Sequence, residues 1–241
     1  MNGELRSYPD LAALARAAAT HFVDLALSSI ALNRRFSVAL SGGETPHAMY
    51  QLLATPEFSS RIDWQYVHLF WSDERCVSPE APESNYGMAW KAFIDHVPIS
   101  MDNIHRILGE EDPLVAAETY EQDLKGHFKA GLPRFDLVLL GLGEDGHTAS
   151  IYPRSSATSE MRRLCVAVQH PLTNQWRVTL TYPTINAAAN VTFLVAGASK
   201  SGMLRTVRSG LIAPEEFPAS AVDPGNGKLL WLCDQGARGN S

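Results

Sequence analysis

Short β-rich runs alternate with longer stretches of helical spacing along almost the whole chain, and that order admits few folds. Phe36–Leu40 (FSVAL), Val67–Trp71 (VHLFW) and Phe135–Leu140 (FDLVLL) are the clearest strands. The last is the most apolar, as expected of a central strand buried on both faces. Shorter strands are expected at 165–169, 177–181, 191–196 and 229–232. Leu11, Leu14, Ala18, Phe22, Leu25 and Ala26 recur at helical spacing behind Ser7, Pro9 and Asp10. A second helix carries Met49, Leu52 and Leu53. A third, capped by Ser84, is predicted to hold Trp90, Phe93 and Ile94. Asp112-Pro113 is a cap and first-turn pair for a helix with Leu114, Ala117, Tyr120, Leu124 and Phe128 inside, and 199–208 reads as another. Strands separated by helices predict βαβ units and a mainly parallel sheet. Without a linker or repeat, the chain reads as one α/β domain over 1–241.

Composition narrows the partners. Charged residues are 20 basic against 26 acidic, a net charge of −6, and no Lys/Arg run offers a nucleic-acid footprint. An anionic ligand would have to be held by a local cluster of donors working against the global field. Cys76, Cys165 and Cys233 are odd in number and far apart. That argues against a disulfide framework or a cysteine zinc site and for a reducing compartment. Glu4, Arg6 and Asp10 occupy the place where a signal peptide needs an apolar run. No stretch reads as ~18 consecutive apolar residues, so no membrane span is expected. The expected location is cytoplasmic.

In an open α/β sheet, ligands sit beyond the carboxyl ends of the strands. The strand ends here lead into Ser41-Gly42-Gly43, Asp73-Glu74-Arg75, Gly141 through His147 and Gly197-Ala198-Ser199-Lys200, with Arg177 at the start of a later strand. Gly42 and Gly43 precede a helix whose first N–H groups suit an anion, or they simply form a tight turn. Glu44 should then point away from any phosphate.

GLGEDG (141–146) formally matches GxGxxG, but a dinucleotide reading fails. Glu144 and Asp145 place negative charge in the cradle, and Pro153 comes too soon for the receiving helix. His147 is the strongest base candidate, because it comes just after the most buried strand and lies two residues from Asp145, which could orient it. Metal ligation by the same two residues lacks a third nearby His or Cys. The other histidines, His21 and His127 among them, read as structural. Asp73, Glu74 and Arg75 are either a solvated strand end with an internal ion pair or part of an anion site, where Arg75 could bind bidentately. Lys200 and Arg177 have similar surface readings. The five tryptophans, without periodic spacing, read as core or cleft wall.

SGGETP from Ser41, WSDER from Trp71, ESNYGMAW from Glu83, FDLVLLGLGEDGHTASIYP from Phe135, RVTLTYPTIN from Arg177 and FLVAGASKSGML from Phe193 resemble, in order and separation, the 6-phosphogluconolactonases. The likeness runs from about Phe36 to Asp234, and GLGEDGHTAS is its most specific part. It implies a Rossmann-like three-layer α/β/α sandwich similar to the glucosamine-6-phosphate deaminases. It also implies hydrolysis of 6-phospho-D-glucono-1,5-lactone to 6-phosphogluconate in the pentose phosphate pathway, without cofactor or metal. His147 corresponds to the general base, oriented by Asp145. Ser41, Gly42 and Gly43 correspond to the phosphate loop, and Arg75 and Lys200 to holders of anionic groups; Asp73 and Arg177, read from their places at the strand ends, are further candidates for substrate binding. Two departures stand out: Glu44 replaces a Ser or Thr of many members, and His47 stands where a basic residue is often seen. The related deaminases carry a glutamate where this chain has Tyr152, which disfavours their chemistry. The expected partner is a small sugar-phosphate lactone, not nucleic acid or membrane, met by a monomer or small homo-oligomer. The alternative is a non-catalytic sugar-phosphate sensor of the same fold. Such modules usually need an output domain, and the first 35 residues offer only an Ala-rich helix.

Overall fold

The computed structural model describes residues 3–129, 131–210 and 213–239. The strands are β1 (Glu4–Tyr8), β2 (Phe36–Leu40), β3 (Val67–Trp71), β4 (Asp73–Arg75), β5 (Leu137–Leu140), β6 (Cys165–Gln169), β7 (Trp176–Leu180), β8 (Asn190–Val195) and β9 (Lys228–Asp234). The helices are α1 (Leu11–Asn33), α2 (Glu44–Leu53), α3 (Pro56–Ser59), α4 (Asn85–Ala92), α5 (Pro113–Phe128), α6 (Tyr182–Asn186), α7 (Ser201–Arg208) and α8 (Gln235–Arg238).

Six strands form one wholly parallel sheet in the order β1-β9-β8-β5-β2-β3, and β4-β7-β6 form a separate antiparallel sheet. The expected α/β fold is therefore present, with its antiparallel strands segregated. The chain leaves β2 toward β3, then returns to the other side of β2 as β5. That reversal is the topological switch point, where such sheets open a crevice. Both strands flanking it are buried throughout, as strands covered on two faces must be.

Local signals set the helix starts. Asp10 accepts from the Ala13 amide at 2.8 Å and Asp112 from the Leu114 amide at 2.9 Å, each cap contributing about 1 kcal/mol. Ser84 caps α4, but α4 ends at Ala92. Phe93 breaks it at φ −154°, ψ −30°, so Phe93 and Ile94 lie beyond the helix in which they were expected. β1 was not anticipated at all. It pairs with β9 from Glu4↔Leu230 to Tyr8↔Asp234 at the sheet's edge.

α1 also corrects the hydropathy reading. It is long and apolar enough to cross a membrane by length and composition, with mean hydropathy 1.2 over its best window. Yet its Leu14, Ala18, Phe22 and Ala26 are buried, and α1 packs on β1, β2, β9 and α2. Its Arg16 and Asp24 pair with Glu57 and Arg61, the pattern of a helix with one face on a sheet. Trp64, Trp71 and Trp231 are core as expected, whereas Trp176 is 38% exposed.

Candidate active site

The carboxyl ends of β2 and β3 are finished by the same device. Tyr50 Oη accepts from the Ser41 amide at 3.1 Å and donates to the Ser41 carbonyl at 2.8 Å. Tyr120 Oη does the same for Trp71, at 2.9 and 2.8 Å. Each buried phenol satisfies both backbone groups of a residue at the end of its strand, fixing where the next segment begins. Burial pushes both phenols well above their ordinary pKa, so they remain hydroxyls.

Ser41-Gly42-Gly43 then turns into α2, whose N-terminus has no side-chain cap. The first amides and the helix dipole are left for an anion. Gly42 has a packing reason as well, since a β-carbon there would collide with the Asn85 amide. Glu44 is exposed and lines the same cleft from the first turn of α2.

The Gly141–His147 loop holds the sharpest pairing. Asp145 Oδ1 lies 2.6 Å from His147 Nδ1 and also accepts from the His147 amide at 3.1 Å. Burial alone would raise Asp145, but the bond and charge of His147 hold its carboxyl down at about 2. An ionised carboxylate can only accept, so Nδ1 carries a proton toward Asp145 and Nε2 is the ring nitrogen left clear of it. Gly143 is glycine for space, because a β-carbon would run into the His147 ring. Gly143 therefore makes room for the His–Asp pair.

Asp73-Glu74-Arg75 is not a solvated strand end. It is the strand β4, with Asp73 and Glu74 buried and no ion pair within the triplet among the described residues. Glu74 Oε1 accepts from the Arg75 and Asn85 amides at 2.8 and 2.7 Å. Its Oε2 accepts from the Tyr86 amide at 2.7 Å and the Ser84 hydroxyl at 3.1 Å. Asp73 Oδ2 accepts from Ser150 Oγ at 2.6 Å, which ties β4 to the loop just beyond His147.

Arg75 and Arg177 face each other directly in the β4–β7 pairing. Like charges opposite one another are unfavourable. Neither guanidinium has a carboxylate partner, and the Nε of each is buried without a hydrogen bond among the described residues. Arg75 Nη1 donates to the Glu83 carbonyl, and Arg177 lies over the Tyr152 ring at 5.9 Å. Lys200 Nζ lies 3.9 Å from Glu144 Oε1. Its loop is braced by Asp234, which accepts from the Gly197 amide at 3.0 Å.

One cleft of about 320 Å³ gathers Ser41, Gly42, Gly43, Asp73, Arg75, His147, Arg177 and Lys200. Asp145 is absent from the lining, standing behind His147, and so are Glu74, Glu144 and the Gly197-Ala198-Ser199 turn that precedes Lys200. Asn85 and Ala149 line the cleft too and were not singled out. Asn85 Nδ2 donates to the Asp73 carbonyl at 2.9 Å, a contact made only because α4 folds back on β4. Ala149 is held at φ 47°, a costly conformation for a residue with a side chain. The donor set of three cations and a helix N-terminus suits a phosphorylated, polyhydroxylated small molecule.

Residues 9–231 match the family described as glucosamine-6-phosphate isomerases/6-phosphogluconolactonase. A 6-phosphogluconolactonase from Synechocystis sp. is 43% identical over 216 residues, 88% of this chain and 87% of that one. The solved 6-phosphogluconolactonase from Trypanosoma cruzi superposes with a TM-score of 0.86 at 30% identity, covering 98% of this chain and 95% of its own. A monomeric glucosamine-6-phosphate deaminase shares the fold at a TM-score of 0.81 and 23% identity, over 98% of each chain. The chain belongs to the glucosamine-6-phosphate isomerase/6-phosphogluconolactonase family.

Proposed function

We propose that this chain, as one domain, hydrolyses 6-phospho-D-glucono-1,5-lactone to 6-phosphogluconate, with His147 as general base. The observation that carries the reading is the convergence, in one cleft at the switch point, of an oriented imidazole with Lys200 and with two arginines, Arg75 and Arg177, that have no carboxylate partner among the described residues. His147 Nε2 takes a proton from water as the water oxygen bonds to the lactone carbonyl carbon. Arg75 faces the oxyanion that develops there. The bond from that carbon to the ring oxygen then breaks, and the imidazolium returns its proton to the departing oxygen. The amides of the Ser41-Gly42-Gly43 turn, Lys200 and Arg177 hold the phosphate, and Asp73 accepts from a sugar hydroxyl, together fixing the angle of attack. Glu44 compensates the α2 dipole in its first turn, on the exposed side of the phosphate.

The direct test is hydrolysis of the lactone, generated in the cuvette from glucose 6-phosphate, against its spontaneous background and with chelator present. Acceleration indifferent to chelator is expected. A folded protein that binds the sugar phosphate without accelerating hydrolysis would be a sensor and not an enzyme. Replacing Lys200 by Met is expected to raise KM more than it lowers kcat, by about 10–100-fold in kcat/KM. That corresponds to about 1.5–3 kcal/mol for one charge-assisted contact. An unchanged KM removes Lys200 from the phosphate site.

A further inference from the structure

At the opposite end of the parallel sheet from the cleft, three histidines far apart in sequence meet. His68 lies at the start of β3, His105 on the segment beside that strand, and His127 near the end of α5. Each is half-buried, and one ring nitrogen from each lies within 4.8 Å of the others. His68 Nδ1 and His105 Nε2 are 3.2 Å apart. Two imidazoles on a tetrahedral zinc, with Zn–N of about 2.0–2.1 Å, have their nitrogens ~3.3 Å apart. The His68–His105 distance thus matches one edge of such a tetrahedron, and the His127 nitrogen lies within 4.8 Å of both.

The surroundings are those of a ligand set. Asp123 lies 3.0 Å from His105 Nδ1, so that nitrogen carries the proton and Nε2 offers its lone pair to the cluster. A carboxylate behind a histidine in this way orients the ring and raises its basicity toward a metal. Ser37 Oγ, whose own backbone amide donates to Asp136 at 2.8 Å, lies 2.9 Å from His127 Nε2. Phe70 stacks on the His105 ring at 4.1 Å and 0°, walling the cluster on one side. Arg35, over the Phe128 ring at 5.7 Å, is the nearby like charge, and Asp123 offsets it.

We propose that His68, His105 and His127 form a binding site for a divalent transition-metal cation of the zinc type, remote from the catalytic cleft. Imidazole donors suit zinc, cobalt, nickel and copper and not magnesium or calcium. With water as the fourth ligand, the ion would clamp β3, the segment after it and the end of α5, elements joined by long connections. Its role would be structural.

The test uses the intact protein, stripped by chelator and titrated with Zn(II), with Co(II) absorption as the reporter of tetrahedral nitrogen ligation. Stoichiometric uptake with micromolar or tighter affinity is expected. Free zinc about 100-fold above Kd should raise Tm by about 5–10 °C. His68→Gln should weaken binding at least ~100-fold without changing lactone turnover, and Asp123→Asn should weaken it ~10–100-fold. His147→Gln should leave it unchanged. Asp123 is 40% exposed at its side chain, so its variant serves if His68→Gln fails to fold. Absence of stoichiometric uptake overturns the proposal. So does uptake that survives His68→Gln and Asp123→Asn but is lost in His147→Gln, which would move the ion into the cleft.

Discussion

Replacing His147 by glutamine is expected to lower turnover of the lactone by about 10²–10⁴ while the protein folds as before, the range general-base assistance supplies. Folding should survive because the His147 side chain is 29% exposed and its ring sits against Gly143, Asp145 and Tyr152 at the loop surface, the last at 4.9 Å between centroids. The glutamine amide can still contact Asp145 but cannot accept a proton from water, so the loss belongs in kcat more than in KM. The proposed phosphate holders, Lys200, Arg177 and the Ser41-Gly42-Gly43 turn, are unaltered in this variant. Adding Asp145→Asn to this variant should cost little more, since Asp145 acts through His147 and groups that work as a unit are not additive. The measurement is kcat and KM for wild type, both single variants and the double, alongside thermal unfolding of each. Turnover of the His147 variant within about threefold of wild type would sink the base assignment. Additive losses in the double variant would give Asp145 a separate role.

The parts of this molecule that the sequence made legible are those whose causes are local. β2 and β3 stand at the residues their β-rich runs predict, and Asp10, Ser84 and Asp112 cap the helices they precede. Each depends on a few neighbouring residues. β1 and β4 escaped for a shared reason. ELRSY and DER carry too much charge to read as strands, and only partners remote in sequence, β9 and β7, make them so. The candidate site was legible for a different reason. In a parallel sheet every strand hands the chain to its next loop at the same end, so the residues just past the strands together approximate the contents of one cleft. Asn85 fell outside that device because it arrives from a helix start. The histidine cluster fell outside it because it lies at the opposite strand ends, with no short-range spacing to join His68, His105 and His127.

The antiparallel β4-β7-β6 sheet gives the cleft its second wall, and Glu74 is its keystone. Changing Glu74 to alanine is expected to lower stability by about 3–4 kcal/mol, because three backbone amides and the Ser84 hydroxyl lose one buried acceptor. For a chain of this length, that is a fall in Tm of roughly 10 °C. Burial pushes the Glu74 carboxyl above its ordinary range, and the Tyr86, Asn85 and Arg75 amides pull it back. Glutamine offers no rescue at full strength. It keeps the shape, but its amide group must face a donor on one side, so an intermediate Tm is expected. The effect should reach the cleft too. The Asn85 and Arg75 amides share Oε1, and Asn85 holds the Asp73 carbonyl while packing against Gly42. Loosening that corner should raise KM in whatever alanine variant remains folded at low temperature. Thermal unfolding of wild type, Glu74→Gln and Glu74→Ala, with KM measured well below each midpoint, separates the two effects. A Tm within about 2 °C of wild type for the alanine variant would mean that water replaces the carboxylate at these donors, and that the wall is held by the β4–β7 pairing alone.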